Sequence, residues 1–528
     1  MREHTALMPA MTTALRGLLV ALFALAAVYD STAQTRDSIY LLHTNDWVYN
    51  KAINPDVQVL KGDVSFRHDS AFMYCDSAYL YDASNSFEAF GNVRMEQGDT
   101  LFIYSDWLHY NGNTKLGKLR HNVRMINNNV TLLTDSLNYD RITNIGYYFT
   151  GGTIIDEENR LSSVFGQYSV DTKLAVFKDS VIVKNEQFTL YSDTLNYETD
   201  NKIATILGPS EIVSDSGIIY SSRGWYDTAA GVSLLLDRSQ IVSGNRILIG
   251  DSISYHKELA LYETFGNMIL IDTAQMVTLK GNYGYYDELR EFAYATDSAC
   301  FMEYSGGDTL YMHADTIRME TIDSAYREIK AYYGVRYYRT DLQGACDSLQ
   351  YNMRDSILYM FSDPVIWNES YQLYGDTILI FMNDSSADYA HIKQFAFAVQ
   401  HLGETYYNQL KGNDMKAYFE GSAIRQVDVS GNAESIFYPL DNGLMVELNH
   451  TKSAYLTIWL QNGQLDKLKA WPQPEGSLTP IPDLFPEQKT LQDFYWFDYI
   501  RPTDKDDIYH KVARKSGESP KRSNKFVF

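Results

Sequence analysis

The stretch LLHTNDWVYN (residues 41–50) brings His43, Asn45 and Asp46 close together, residue types that ligate metals in hydrolytic sites. An Asp at a strand end, as Asp46 would be, can serve as first ligand of a metal that activates water. Such a centre needs further ligands, and the chain does not supply them in pattern. The position two after Asp46 is Val48, no Asn-His or His-x-His set follows, and the 11 histidines are scattered. There is no Gly-x-Ser-x-Gly elbow, no His-Glu-x-x-His, no phosphate loop and no Cys-x-x-Cys pair. The three cysteines, Cys75, Cys300 and Cys346, are too few for a disulfide scaffold and read as small buried hydrophobes. The expectation is no catalytic residue, no metal site and no cofactor: the chain is not an enzyme.

Asp46 shares its surroundings with the start of metal-dependent 5′-nucleotidases, but a repeat explains it better. A small or polar residue, then Asp, then an alternating stretch ending in Tyr recurs as SDWLHY (105–110), TDSLNY (134–139), SDTLNY (192–197), GDSISY (250–255) and CDSLQY (346–351). Weaker copies fill the gaps, and the Asp position recurs from 46 to 376 in eleven intervals with a mean of 30 residues. A second beat lies between: GDV at 62, GNV at 91, HNV at 121, GGT at 151, DSV at 179, GNM at 266, YGV at 333 and DPV at 363. Each ~30-residue unit therefore reads as two short strands separated by turn residues, with the repeated Asp at strand entry bonding turn amides. A calcium ladder would need Gly-rich nonapeptides, which are absent.

Alternation decides which side chains share a face. In each copy the fourth and sixth residues do: Leu108/Tyr110, Leu137/Tyr139, Leu195/Tyr197, Ile253/Tyr255 and Leu349/Tyr351. Stacked units lay these ten residues in one apolar stripe, and such units fold only by stacking. No helix of more than two or three turns is expected in 40–440. The predicted fold is all-β: an elongated, solenoid-like body of about twelve two-strand repeats over 34–440.

The ends read differently. Arg16, the apolar run Leu18 to Val28 and the small residues Ser31-Thr32-Ala33 predict a signal peptide over 1–33, hence export, and no later run is long enough for a transmembrane helix. Residues 441–500 are expected to cap the body, with a Pro-rich linker at 472–488, and 501–528 to form a basic, disordered tail. The formal charge is −22, and with that tail and the balanced 1–33 set aside, positions 34–500 carry −26. So acidic a body repels phosphate backbones and anionic membrane surfaces, so nucleic acid is not an expected partner.

GNVRMEQGDTLFIYSDWLHY (91–110) and NVRMINNNVTLLTDSLNY (122–139) resemble the OstA-like (organic solvent tolerance) family, as does the wider repeat over 38–440. GNAESIFYPL (431–440), LNHTKSAYLTIWL (448–460), LKAWPQPEGSLTP (468–480) and LQDFYWFDYIRP (491–502) resemble the C-terminal part of its long members. The resemblance implies a β-jelly-roll, or taco, with a lengthwise apolar groove. It also implies a periplasmic protein, with outer-membrane association as an option, that shelters lipopolysaccharide acyl chains and passes them towards the outer membrane. Other transport proteins of the same fold would be partners through head-to-tail strand pairing, and the ten stripe residues would line the groove. The alternative is an exported structural solenoid, a spacer or interaction protein without lipid cargo.

Overall fold

The computed structural model describes residues 37–518 except 53–54, 305–306, 323–325, 384–386, 422, 442–443 and 462. The predicted signal peptide, 1–33, and residues 519–528 of the predicted tail lie outside them. Among the described residues the helical elements are 3-10 turns of three or four residues, and all other regular structure is strand. The all-β expectation is met. The chain divides into two compact units, one ending at Lys178 and the other starting at Asp179.

In the first unit the strands Gln58–His68, Ala71–Tyr81, Ser86–Gln97, Leu101–Asn111, Leu116–Asn127 and Val130–Asp140 each pair antiparallel with the next. Tight turns join them, so the chain zigzags. These strands are 11 or 12 residues long, not the short strands expected from the two beats. The beats mark the middle of a strand, where it folds over. Register breaks fall between Lys61 and Val64, Phe90 and Val93, and Arg120 and Val123, at GDV, GNV and HNV. Both residues at each break have positive φ: Gly62 and Asp63, Gly91 and Asn92, His121 and Asn122. Gly, Asn and Asp tolerate that conformation best, which accounts for the composition of the second beat.

The repeated Asp sits opposite this bend, not at a strand entry. Asp76 accepts a hydrogen bond from the Asn92 side chain at 2.9 Å, and Asp106 from Asn122 at 2.6 Å. The carboxylate lies directly over the bend glycine: a Cβ on Gly91 would stand 2.4 Å from Asp76 Oδ2. Asp46 opens the short strand Asp46–Tyr49, opposite Lys61, as the first rung.

Bending turns each strand into two arms whose inner faces pack on each other. Val130–Asp140 shows this openly, since its first half pairs with Gly152–Asp156 and its last residues with Ile145–Tyr148. Across the two arms Phe66 stacks on Phe87 at 4.2 Å, and Met125 fills the space over Gly146.

The second unit repeats the scheme. Phe188–Glu198 pairs with Ser210–Ser214 along one half and Ile203–Ile206 along the other. The bends recur with positive φ at Asp237-Arg238, Gly266-Asn267, Asp297-Ser298, Tyr333-Gly334, Gln394-Phe395 and Gly431-Asn432, and Asn267 again donates to Asp251 at 2.6 Å. At its end Glu447–Gln461 carries two short strands on one side, Gln464–Trp471 and Glu475–Pro480. The latter lies inside the predicted linker. Residues beyond 488 then fold back onto an outer sheet face of this unit, burying Leu491, Phe497, Ile500 and Ile508. Tail residues take part in this packing: the Arg514 guanidinium lies over the Phe497 ring, 4.2 Å from its centroid.

Candidate functional site

The stripe residues fall on the inner face of the arms, where alternation places them. In the first unit Leu108, Tyr110, Leu137 and Tyr139 are fully buried. In the second unit Leu195, Tyr197, Ile253, Tyr255 and Leu349 are buried, and Tyr351 is half-buried. In the first unit the row is continued by Met95 and Met125, which follow the second beat, and by Phe66 and Ile103, which no repeat motif singles out. The interior is close-packed over most rungs. An apolar space of about 60 Å³ lies in the second unit among Leu410, Ile424, Val427 and Ile458, with the Ser435 hydroxyl buried beside it and unpaired. A smaller space of about 20 Å³ lies beside Phe188, Ile219, Tyr226, Tyr255 and Tyr262.

The Tyr of each motif is the second-last residue of its strand. In Tyr110 and Tyr139 the ring lies inside while the hydroxyl reaches the seam where the turns of the two arms meet. Tyr110 Oη accepts from Arg141 Nη1 at 2.7 Å and sits 2.6 Å from His68 Nδ1. Tyr139 donates to Asn144 Oδ1 at 3.1 Å. Burial raises the Tyr110, Tyr139 and Tyr255 phenols above their ordinary range, so they stay protonated donors. Arg141 also donates to Gln97 at 3.1 Å, and Gln97 donates to Asn144 at 2.9 Å, linking the two arms. Apart from Tyr139–Asn144, these latches join residues 31 to 73 positions apart near strand ends, so no local pattern announces them.

Asp37, His68 and Asp69 are grouped closely enough to hold a metal ion. Here Lys115 serves both carboxylates, at 2.8 Å to Asp37 and 2.6 Å to Asp69. This contact raises the Lys115 ammonium and lowers the Asp69 carboxyl. Burial holds the His68 imidazole below its usual range, against the pull of Asp37 and Asp69. The group reads as a seam ion pair.

In the second unit the seam is more charged. Arg327 donates to Asp272 at 2.6 Å, Arg246 pairs with Glu291 at 3.1 Å, and Glu288 accepts from Ser243 at 2.7 Å and Tyr262 at 2.9 Å. Ser243, Arg246, Asp272, Glu288, Glu291 and Arg327 line a cavity of about 640 Å³, which is polar and open to solvent. It is distinct in chemistry from the apolar interior and offers acyl chains no lining. The three cysteines are buried and unbridged, and burial pushes the Cys75 thiol up to about 12.

Residues 36–193 match the OstA-like protein family. No curated protein matches the chain. Among solved structures, LptH, the LptA homologous periplasmic component of the lipopolysaccharide transport device from Pseudomonas aeruginosa, aligns at 16% identity with a TM-score of 0.14. That alignment covers 25% of this chain and 79% of LptH.

Proposed function

We propose that this chain, OstA-like over residues 36–193, is an exported lipid-binding protein of the periplasm that takes lipopolysaccharide acyl chains between its arms and passes them towards the outer membrane. The observation behind this reading is the inner row: in each unit the same-phase Leu or Ile and Tyr of successive repeats face inward. Each CH₂ left in water costs about 0.8 kcal/mol, so one chain of a dozen carbons costs about 10 kcal/mol. A row of similar apolar sites offsets that cost while offering no single deep trap, which suits sliding. The work is binding and transfer, without covalent chemistry.

Because the rungs are close-packed, the arms must part to admit a chain. The seam contacts of Arg141, Gln97 and Asn144 are side-chain hydrogen bonds that can break singly, whereas the strand ladders within each arm stay intact. Open edges suit head-to-tail partners of the same fold. At the start, Tyr40, Leu42, Trp47 and Tyr49 are exposed on the first rung, and at the other end Leu478 is exposed on Glu475–Pro480.

The second reading, a structural solenoid without cargo, is favoured by the same close packing. Mass spectrometry of the protein purified without detergent exchange separates the two. Co-purifying lipid A at near one per chain is expected. Lipid-free protein from cells rich in lipopolysaccharide would leave the structural reading.

A further inference from the structure

The outer sheet face under the C-terminal segment is built like a receptor for a peptide. One cross-strand row reads Gln343, Trp367, Gln372, Val399, Gln409 and Ile436, each opposite the next. The three glutamines are almost completely buried, at 3%, 0% and 2% exposure. Two of them grip main chain by donating and accepting at once, as a neighbouring strand would. Gln409 donates to Lys489 O at 2.7 Å and accepts from Leu491 N at 2.8 Å. Gln372 donates to Tyr495 O at 2.9 Å and accepts from Phe497 N at 2.7 Å.

Further side chains on the same face complete the seat. The Tyr374 hydroxyl donates to Asp493 O and accepts from Tyr495 N, both at 3.0 Å. Lys411 donates to Gln492 O at 3.0 Å and Arg336 to Ile500 O at 2.7 Å. Gln343 accepts from the Arg501 guanidinium at 2.6 Å. Between these contacts Leu491, Phe497 and Ile500 insert among Val365, Trp367, Tyr374, Phe397 and Val399. The segment makes no strand pairing with the sheet, so it is held by side chains throughout.

The chain leading into the seat is of another kind. Past the paired strand Glu475–Pro480, none of residues 481–490 is buried, and this stretch carries two prolines, Pro482 and Pro486. A peptide held by its own clamps and joined through an exposed connection can be replaced by the same peptide from a neighbour.

We propose that this face is a docking site for the 489–501 segment, filled in cis by the chain's own segment and able to take the segment of a second copy in exchange. The tether gives the cis segment a high effective concentration, so exchange is seen where copies are crowded or where one seat is empty. A link of this kind joins copies without using their open strand edges, and it does not depend on lipid binding.

Two variants test it by complementation. One, ending at Gln488, keeps the seat but lacks the segment. The other is the full chain with Gln343→Ala, Gln372→Ala and Gln409→Ala, which keeps the segment but weakens its seat. Native mass spectrometry should show each alone as a monomer and the mixture as a 1:1 complex. A labelled peptide of residues 487–518 should bind the shortened chain saturably, at least tenfold tighter than the same chain with Gln372→Ala and Gln409→Ala. No peptide binding to a folded shortened chain overturns the proposal, and so does peptide binding without a mixed complex. If the shortened chain does not fold, a protease site placed between Leu484 and Phe485 of the full chain gives the same reading. After cutting, excess labelled peptide should replace the resident segment, and failure to exchange overturns the proposal.

Discussion

Replacing Gly91 by alanine tests the account of the bends, because two separate costs meet at that residue. Its φ is +73°, where an L-residue is strained by roughly 1–2 kcal/mol. The new Cβ would also stand 2.4 Å from Asp76 Oδ2. Asp76 must swing away and give up the 2.9 Å bond from Asn92, worth about 1 kcal/mol. The sum is about 2–3 kcal/mol. Gly98 is the internal control: its φ is +62° but nothing lies within 4 Å of its Cβ position, so Gly98→Ala should cost only about 1 kcal/mol. At about 4 °C per kcal/mol for a unit of this size, urea and thermal melts followed by circular dichroism resolve the difference in the first transition. Equal losses for the two variants would refute the claim that the repeated Asp packs over the bend.

Three other outcomes follow from buried groups. Burial lowers the His68 pKa, so as pH falls below about 6.5 the unfolded chain takes up a proton before the folded one does. Stability contributed by neutral His68 is complete above that pH and declines below it. Melts at pH 7.5 and 5.0 should show a larger drop for the native chain than for His68→Gln. Leu137, fully buried between the arms, should cost about 2–5 kcal/mol as Leu137→Ala in a denaturant titration. Cys75, with its thiol pushed up to about 12, should resist a thiol reagent at pH 8 until the chain is unfolded, read as the rate of colour release.

Much of the fold is written locally. The inward phase of Leu137 and Tyr139 follows from strict alternation, and the repeat spacing gives the rungs. The bend was harder to read. GNV and TDSLNY look like strand starts because turn-forming residues usually flank strands, whereas here Gly91-Asn92 interrupts a strand that continues in both directions. The later bend at Gln394-Phe395 carries residues that give no turn signal. The seam partners were illegible for a different reason. Arg141 meets His68 across 73 positions, and only the stacking of rungs brings them together. The same holds for the C-terminal segment, since nothing in LQDFYWFDYIRP says which face it will cover.

The central claim is that the inner row carries acyl chains. Photo-crosslinking in cells tests it, with a photoreactive phenylalanine analogue in place of Tyr197, which faces inward, and separately of Asn196, which has the opposite phase. The account predicts a lipopolysaccharide adduct at 197 and none at 196. No adduct at 197, nor at Tyr139 or Tyr255, in chains that still fold would contradict it.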